Sequence, residues 1–164
     1  MTTLVLCCGR VCSGKSSFAR KIETDRGFFH LSADEWMLRL FGETTDRAEF
    51  DDRLARCRGL IEDLAARLLA RGTDVVLDFG FWKRLDRDET RARFASAGHR
   101  VVLVYFPIDP ETQLAYARKR AATGNAGEYA FDGETIEALN RFFEEPSPEE
   151  GWVDASDFEK LITG

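Results

Sequence analysis

No stretch of the chain approaches the ~18–20 unbroken apolar residues that a membrane-spanning helix needs, so no such helix is expected. A cationic segment followed by an apolar one is also missing at the start. Thr3 to Cys8 is short and runs straight into a glycine-containing loop, so no signal peptide is expected and the protein should be cytoplasmic. Basic residues are outnumbered: 23 Lys and Arg against 29 Asp and Glu leave a net charge of −6, which disfavours a general nucleic-acid binder. The four cysteines, at 7, 8, 12 and 57, form neither a paired C-x-x-C metal site nor a disulfide framework. Reduced thiols follow. Cys7, Cys8 and Cys57 read as small core hydrophobes, whereas Cys12 is either an oxidation-sensitive thiol or a loop filler. Repeats and low-complexity tracts are lacking too, and 164 residues amount to about one domain.

What is present begins at residue 9. Gly9-Arg10-Val11-Cys12-Ser13-Gly14-Lys15-Ser16 follows the apolar run Leu4 to Cys8 and precedes a segment with helical spacing. The pattern G-x-x-x-x-G-K-[ST] therefore sits between a strand and a helix, as it must to bind a nucleoside triphosphate. The two glycines let the backbone wrap a phosphate, and successive N–H groups and the helix N-terminus point at it. Lys15 reaches the β/γ oxygens, the Ser16 hydroxyl is placed for Mg²⁺, and Ser17 completes the expected ATP-contacting run from Gly9. A GTPase would need an Asn-Lys-x-Asp run to read guanine, and the Asn125 neighbourhood does not supply one.

Downstream, strands and helices alternate. Helix is expected from Lys15 to about Asp25, strand from Phe28 to Leu31, and a short helix after a capping Ser32. Phe50, Leu54, Cys57, Ile61, Leu64 and Leu68 recur at steps of four and three and predict a long amphipathic helix from about Asp46 to Arg71. Asp74 to Phe79 and Val101 to Phe106 read as the third and fourth strands. Leu85–Ala97, Pro110–Arg120 and Glu134–Phe143 read as helices, and a last strand is expected near Trp152. Apolar strands separated by helices predict a parallel sheet covered on both faces, with ligands at the carboxyl ends of its strands.

Those ends carry the candidate chemistry. Asp34, just beyond the second strand, is either the carboxylate that takes the acceptor's hydroxyl proton or a helix cap. Asp78, ending the third strand, is read as a Mg²⁺-water ligand, an acceptor contact or a cap. Arg118 and Arg120 either steady a helix C-terminus or bring positive charge to the transferring phosphoryl group from a hinged segment, Ala121 to Gly133. Trp36, Lys83 and Arg84 are candidate acceptor contacts; Arg87 and Arg91 are read either as further grips on an anionic acceptor or, more simply, as a solvated helix face. Glu35 and Asp74 read as solvated.

In this order the phosphate loop, Ser32-Ala33-Asp34-Glu35, the Asp78 strand, the Arg118/Arg120 helix and Phe143-Glu144-Glu145-Pro146 resemble the small P-loop kinases related to polynucleotide 5′-kinase, chloramphenicol phosphotransferase and zeta-type toxins. The resemblance implies a three-layer αβα sandwich with a five-stranded parallel sheet and a helical lid at about residues 118–133. It also implies ATP with Mg²⁺, phosphorylation of a hydroxyl on a small molecule, Asp34 as base and Arg118 or Arg120 as lid arginine. Polynucleotide kinases carry an Arg three residues after their base, where this chain has Met37. Asp78-Phe79-Gly80-Phe81-Trp82-Lys83-Arg84 loosely resembles a run of adenylate kinases, which keeps a nucleotide kinase as the second enzymatic reading. A non-catalytic, nucleotide-gated binding module is the alternative of another class. Oligomeric state is not legible.

Overall fold

In the computed structural model, residues 1–43, 46–124 and 129–163 are described. Strands β1 (Thr3–Cys8), β2 (Phe29–Ser32), β3 (Val75–Gly80) and β4 (Arg100–Tyr105) form one parallel sheet in the order β2-β3-β1-β4. Helices α1 (Lys15–Arg26), α2 (Ala33–Phe41), α3 (Arg47–Leu69), α4 (Arg84–Ser96), α5 (Pro110–Thr123), α6 (Gly133–Asn140) and α7 (Ala155–Thr163) complete the chain.

The two-residue period of β1 divides the core. Leu4, Leu6 and Cys8 join Leu77, Leu103 and Tyr105 on one face, under α3 and α4 through Ile61, Ala65 and Phe94. Val5 and Cys7 join Val76, Val102 and Val104 on the other, under α1 and α7 through Phe18, Ile22 and Phe158. The three-layer expectation therefore describes the molecule. On α3 the fully buried line is Cys57, Ile61, Ala65 and Leu69, with Leu54, Leu64 and Leu68 at its flank, so the helix is turned slightly from the face that the leucines suggest. None of the described helices is long and apolar enough to cross a membrane.

The sheet has four strands, not the five expected. Val153 makes a single parallel bridge to Val104, with Tyr105 N–H donating to Val153 O and Val153 N–H to Leu103 O. Pairing stops there because Asp154 already caps α7: its carboxylate accepts from Asp157 N and Ser156 Oγ, both at 2.8 Å. The chain thus turns into a helix after one strand-like residue, and that helix was not expected. Its signals were an Asp cap followed by Phe158, Leu161 and Ile162 at helical spacing. The expected helix from Glu134 to Phe143 is shorter, ending at Asn140.

Candidate active site

The phosphate loop is held open by close packing. Gly9 N–H donates to Gly80 O at 3.0 Å, and a side chain at Gly9 would bring a Cβ within 2.7 Å of Ser13 Oγ and 3.0 Å of the Phe106 carbonyl. Gly14 caps α1 with φ 95°, and Cys12 also takes a left-handed φ of 58°. Cys12 is buried with Ala117 of α5 and Ile136 of α6, so it fills the space beneath those helices. Burial also pushes the Cys8 thiol up to about 11 and raises Cys7 well above its ordinary value, which leaves both inert at neutral pH. The loop is tied from above as well. Gln113 of α5, fully buried, donates to Val11 O at 2.9 Å and exchanges amide hydrogen bonds with Asn140 of α6.

Around Lys15 the expected residues converge. Lys15 Nζ donates to Arg10 O at 2.5 Å and to Ser13 Oγ at 3.3 Å. Burial pushes its ammonium below the ordinary value. Asp78 and Asp34 are near enough to hold it up, and Arg120 is near enough to press it further down. Ser16 Oγ donates to Asp78 Oδ2 at 2.6 Å. Burial works against the charge on Asp78, but His30, Lys15 and Ser16 outweigh it and hold the carboxyl below its ordinary value. Of the two arginines expected to serve a lid, Arg120 is half-buried with its charge near Lys15, whereas Arg118 is exposed. Residues 125–128 of the segment expected to hinge lie outside the described residues.

Asp34 stands in the first turn of α2, exposed, but the cap is Ser32, whose Oγ accepts from Glu35 N at 3.3 Å. Ser32 is thus the cap that the sequence predicts, and Asp34 is a first-turn acid beside it. Met37 is buried to 1% exposure, so no cation stands three residues after Asp34. Above this end of the sheet, Phe50 of α3 meets Tyr129 edge-on at 6.0 Å, and Tyr129 lies 6.2 Å from Phe131. Trp36 packs, half-buried, against the core beneath. The Tyr129 hydroxyl is buried without a hydrogen-bond partner, and burial, followed by the negative charge of Asp34, pushes the phenol up to about 12.

Other candidates lie elsewhere. Lys83 Nζ pairs with Glu144 at 2.9 Å and Arg84 with Asp88 at 3.4 Å, both on the exposed start of α4. Arg87 is no solvated residue: it is buried to 1%, forked onto Glu150 at 2.6 and 3.0 Å, and donates to the Phe81 and Glu144 carbonyls. This clamp holds Phe81 at φ 45° directly after β3. Asp74 is not merely solvated either, since its Oδ1 accepts from Thr3 N at 2.6 Å and ties the starts of β1 and β3. Glu35 pairs with Arg39 at the surface. Sequence reasoning missed His30, Gln113 and Tyr129, because nothing in their local pattern distinguishes them from ordinary strand, helix and loop residues.

Beside the loop, a cavity of about 560 Å³ opens between Gly14 and Ser17 at the start of α1, walled by Phe18, Phe106, Ala155 and Ser156. The Ser16 hydroxyl and the buried Asp78 carboxylate, 2.6 Å apart, are oxygen donors of the kind that fits Mg²⁺. That ion takes one or two protein oxygens and leaves its other positions to phosphate and water.

A family model, AAA_33, described as an AAA domain, matches residues 4–146. Among solved structures, the chain resembles a kinase candidate from Chloroflexus aurantiacus J-10-fl, at 17% identity and a TM-score of 0.73, over 99% of this chain and 94% of that one. A chain of the Pnkp1/Rnl/Hen1 RNA repair complex is 20% identical with a TM-score of 0.65, over 86% of this chain and 43% of the other. A sugar kinase from Janibacter sp. HTCC2649 is 20% identical with a TM-score of 0.61, over 95% and 87%. At these identities the likeness is one of fold. No curated protein matches the chain by sequence.

Proposed function

The chain belongs to the AAA domain family AAA_33, a group of P-loop kinase-like domains, and from that premise we propose that it transfers the γ-phosphoryl group of ATP to a hydroxyl of a small molecule. The observation that carries this reading is the convergence of Asp78, Asp34 and Arg120 on Lys15 at the carboxyl ends of β1, β2 and β3. A nucleotide-binding module needs the loop and its lysine. A carboxylate across from them, with a cation descending from the next helix, is the equipment of transfer.

In this scheme Gly9 to Ser17 wrap the phosphates, and the nucleoside lies in the cavity beside Ser17 and Phe106. Lys15 and Arg120 balance charge on the transferring group, and Asp34 accepts the proton as the acceptor oxygen bonds to phosphorus and the bond to ADP breaks. Ser16 and, through water, Asp78 would hold Mg²⁺, and the ion would supply positive charge beside the phosphates. Residues 118–133 serve as the lid of this single kinase unit.

For the acceptor, the aromatic surround of Phe50, Tyr129 and Trp36 favours a small molecule, and the buried Met37 leaves no cation there for a nucleic-acid phosphate. The fold likeness to a chain of the Pnkp1/Rnl/Hen1 RNA repair complex keeps 5′-hydroxyl oligonucleotides as the second class to try. The test is a screen of sugars, nucleosides, antibiotics and 5′-hydroxyl oligonucleotides with γ-labelled ATP. A labelled small-molecule product is expected. Tight ATP binding with no transfer to any class would instead favour the binding module.

A further inference from the structure

Strand β2 brings a histidine to the same carboxylate that the phosphate-loop serine holds. His30 aligns with Val76 and Ser32 with Asp78 in the β2–β3 register, so His30 and Asp78 lie diagonally on the face covered by α1. Their side chains are 8% and 5% exposed. His30 Nε2 is 3.5 Å from Asp78 Oδ2 and has no hydrogen-bond partner. Ser16 Oγ, at 2.6 Å, addresses the same oxygen. Among the described residues no hydrogen bond reaches Oδ1.

A buried ring nitrogen left just beyond hydrogen-bond range is an unusual expense unless some state of the protein uses it. The neighbouring bond suggests which state. If Ser16 turns its hydroxyl oxygen to a metal ion, Oδ2 loses its short donor, and His30 Nε2–H is the group beside it that can take over.

We propose that His30 is a positioning residue for Asp78: when Ser16 leaves to ligate Mg²⁺, the imidazole closes the 3.5 Å gap and keeps the carboxylate aimed at the water shell of the metal. This rests on the reading of Ser16 and Asp78 as the Mg²⁺ pair. His30 touches no reacting atom.

Titration calorimetry of ADP, with and without Mg²⁺, separates this role from core filling. In the native protein Mg²⁺ should tighten ADP. His30→Leu keeps the bulk without a donor, so its metal-free ADP affinity should persist while the gain from Mg²⁺ shrinks about tenfold. His30→Gln, whose amide N–H reaches a similar point, should retain most of the gain. His30→Asn, whose amide stops short, should behave like the Leu variant and replaces it if that variant does not fold. An undiminished Mg²⁺ gain in the variants without a reaching donor overturns the role of His30 while leaving the kinase reading intact. No Mg²⁺ gain in the native protein overturns the metal pair itself, and this inference with it.

Discussion

Asp78 and Glu150 are the two buried carboxylates among the described residues, and they are treated in opposite ways. Glu150 accepts from Arg87 Nε at 2.6 Å, from Nη2 at 3.0 Å and from Ser147 N at 2.9 Å, while the remaining reach of Arg87 goes to two carbonyls. Every charge in that cluster is answered. Asp78 has one short bond, from Ser16, a histidine just out of range, and Lys15 nearby but bonded to the loop. A buried charge costs a great deal unless it is paired, so the complete cluster belongs to the architecture. The incomplete one is suited to partners that arrive, phosphate and a hydrated metal ion. The difference lies in satisfaction, not in burial.

The largest expected effect bears on the incomplete cluster. Lys15→Ala should abolish measurable transfer, a loss of about 10³-fold or more, with thermal unfolding nearly unchanged because Lys15 contributes charge and little core. Turnover and melting measured together check it. Near-normal turnover would remove the phosphate loop from the mechanism.

Exchanging the two carboxylates tests the comparison itself. Asp78→Asn should lower activity or metal-assisted binding by about 10–100-fold and leave stability almost untouched. Glu150→Ala should do the reverse, costing about 3–5 kcal/mol in denaturant unfolding because Arg87 is left buried and unpaired. Equal stability losses in both variants would erase the distinction.

A finer contrast separates the two arginines. Arg120→Ala should lower kcat by about tenfold or more with a smaller change in KM for ATP, and Arg118→Ala should leave kcat near normal. Steady-state kinetics decide. If both variants keep full kcat, the arginines only steady the end of α5.

The smallest effect is one of pH. Arg87 holds the Glu150 carboxyl below its ordinary value of 4.5, so its stabilisation is complete above that value and is lost as pH falls through the lower folded value. Melting temperature should therefore decline on acidification below about 4.5, and Glu150→Gln should flatten part of that decline.

Much of this was legible in the residues. The loop context, the α3 boundaries within two residues and the four strands follow from hydrophobic period and turn residues, which are local. What escaped depends on contacts between distant segments. Arg87 looks like one more arginine on a charged helix until Glu150 folds back over it, and His30 gains meaning only beside Asp78. The missing fifth strand is a different failure: a competing local signal, the Asp154 cap, ended pairing at Val153. For the site itself, the residue pattern proposed the Ser32 cap, Asp34 and the two arginines of α5, but the nearness of Arg120 rather than Arg118 to Lys15 became visible only in three dimensions.

The central claim, that the open end of the sheet performs transfer and does not merely bind nucleotide, turns on Asp34. Asp34→Asn preserves shape and removes the charge, and ATP affinity and transfer rate to an acceptor found by the screen are measured on the same preparation. Affinity should change little while transfer falls by about 10²–10⁴-fold. Transfer at the native rate would contradict the assignment and return Asp34 to the role of a first-turn acid.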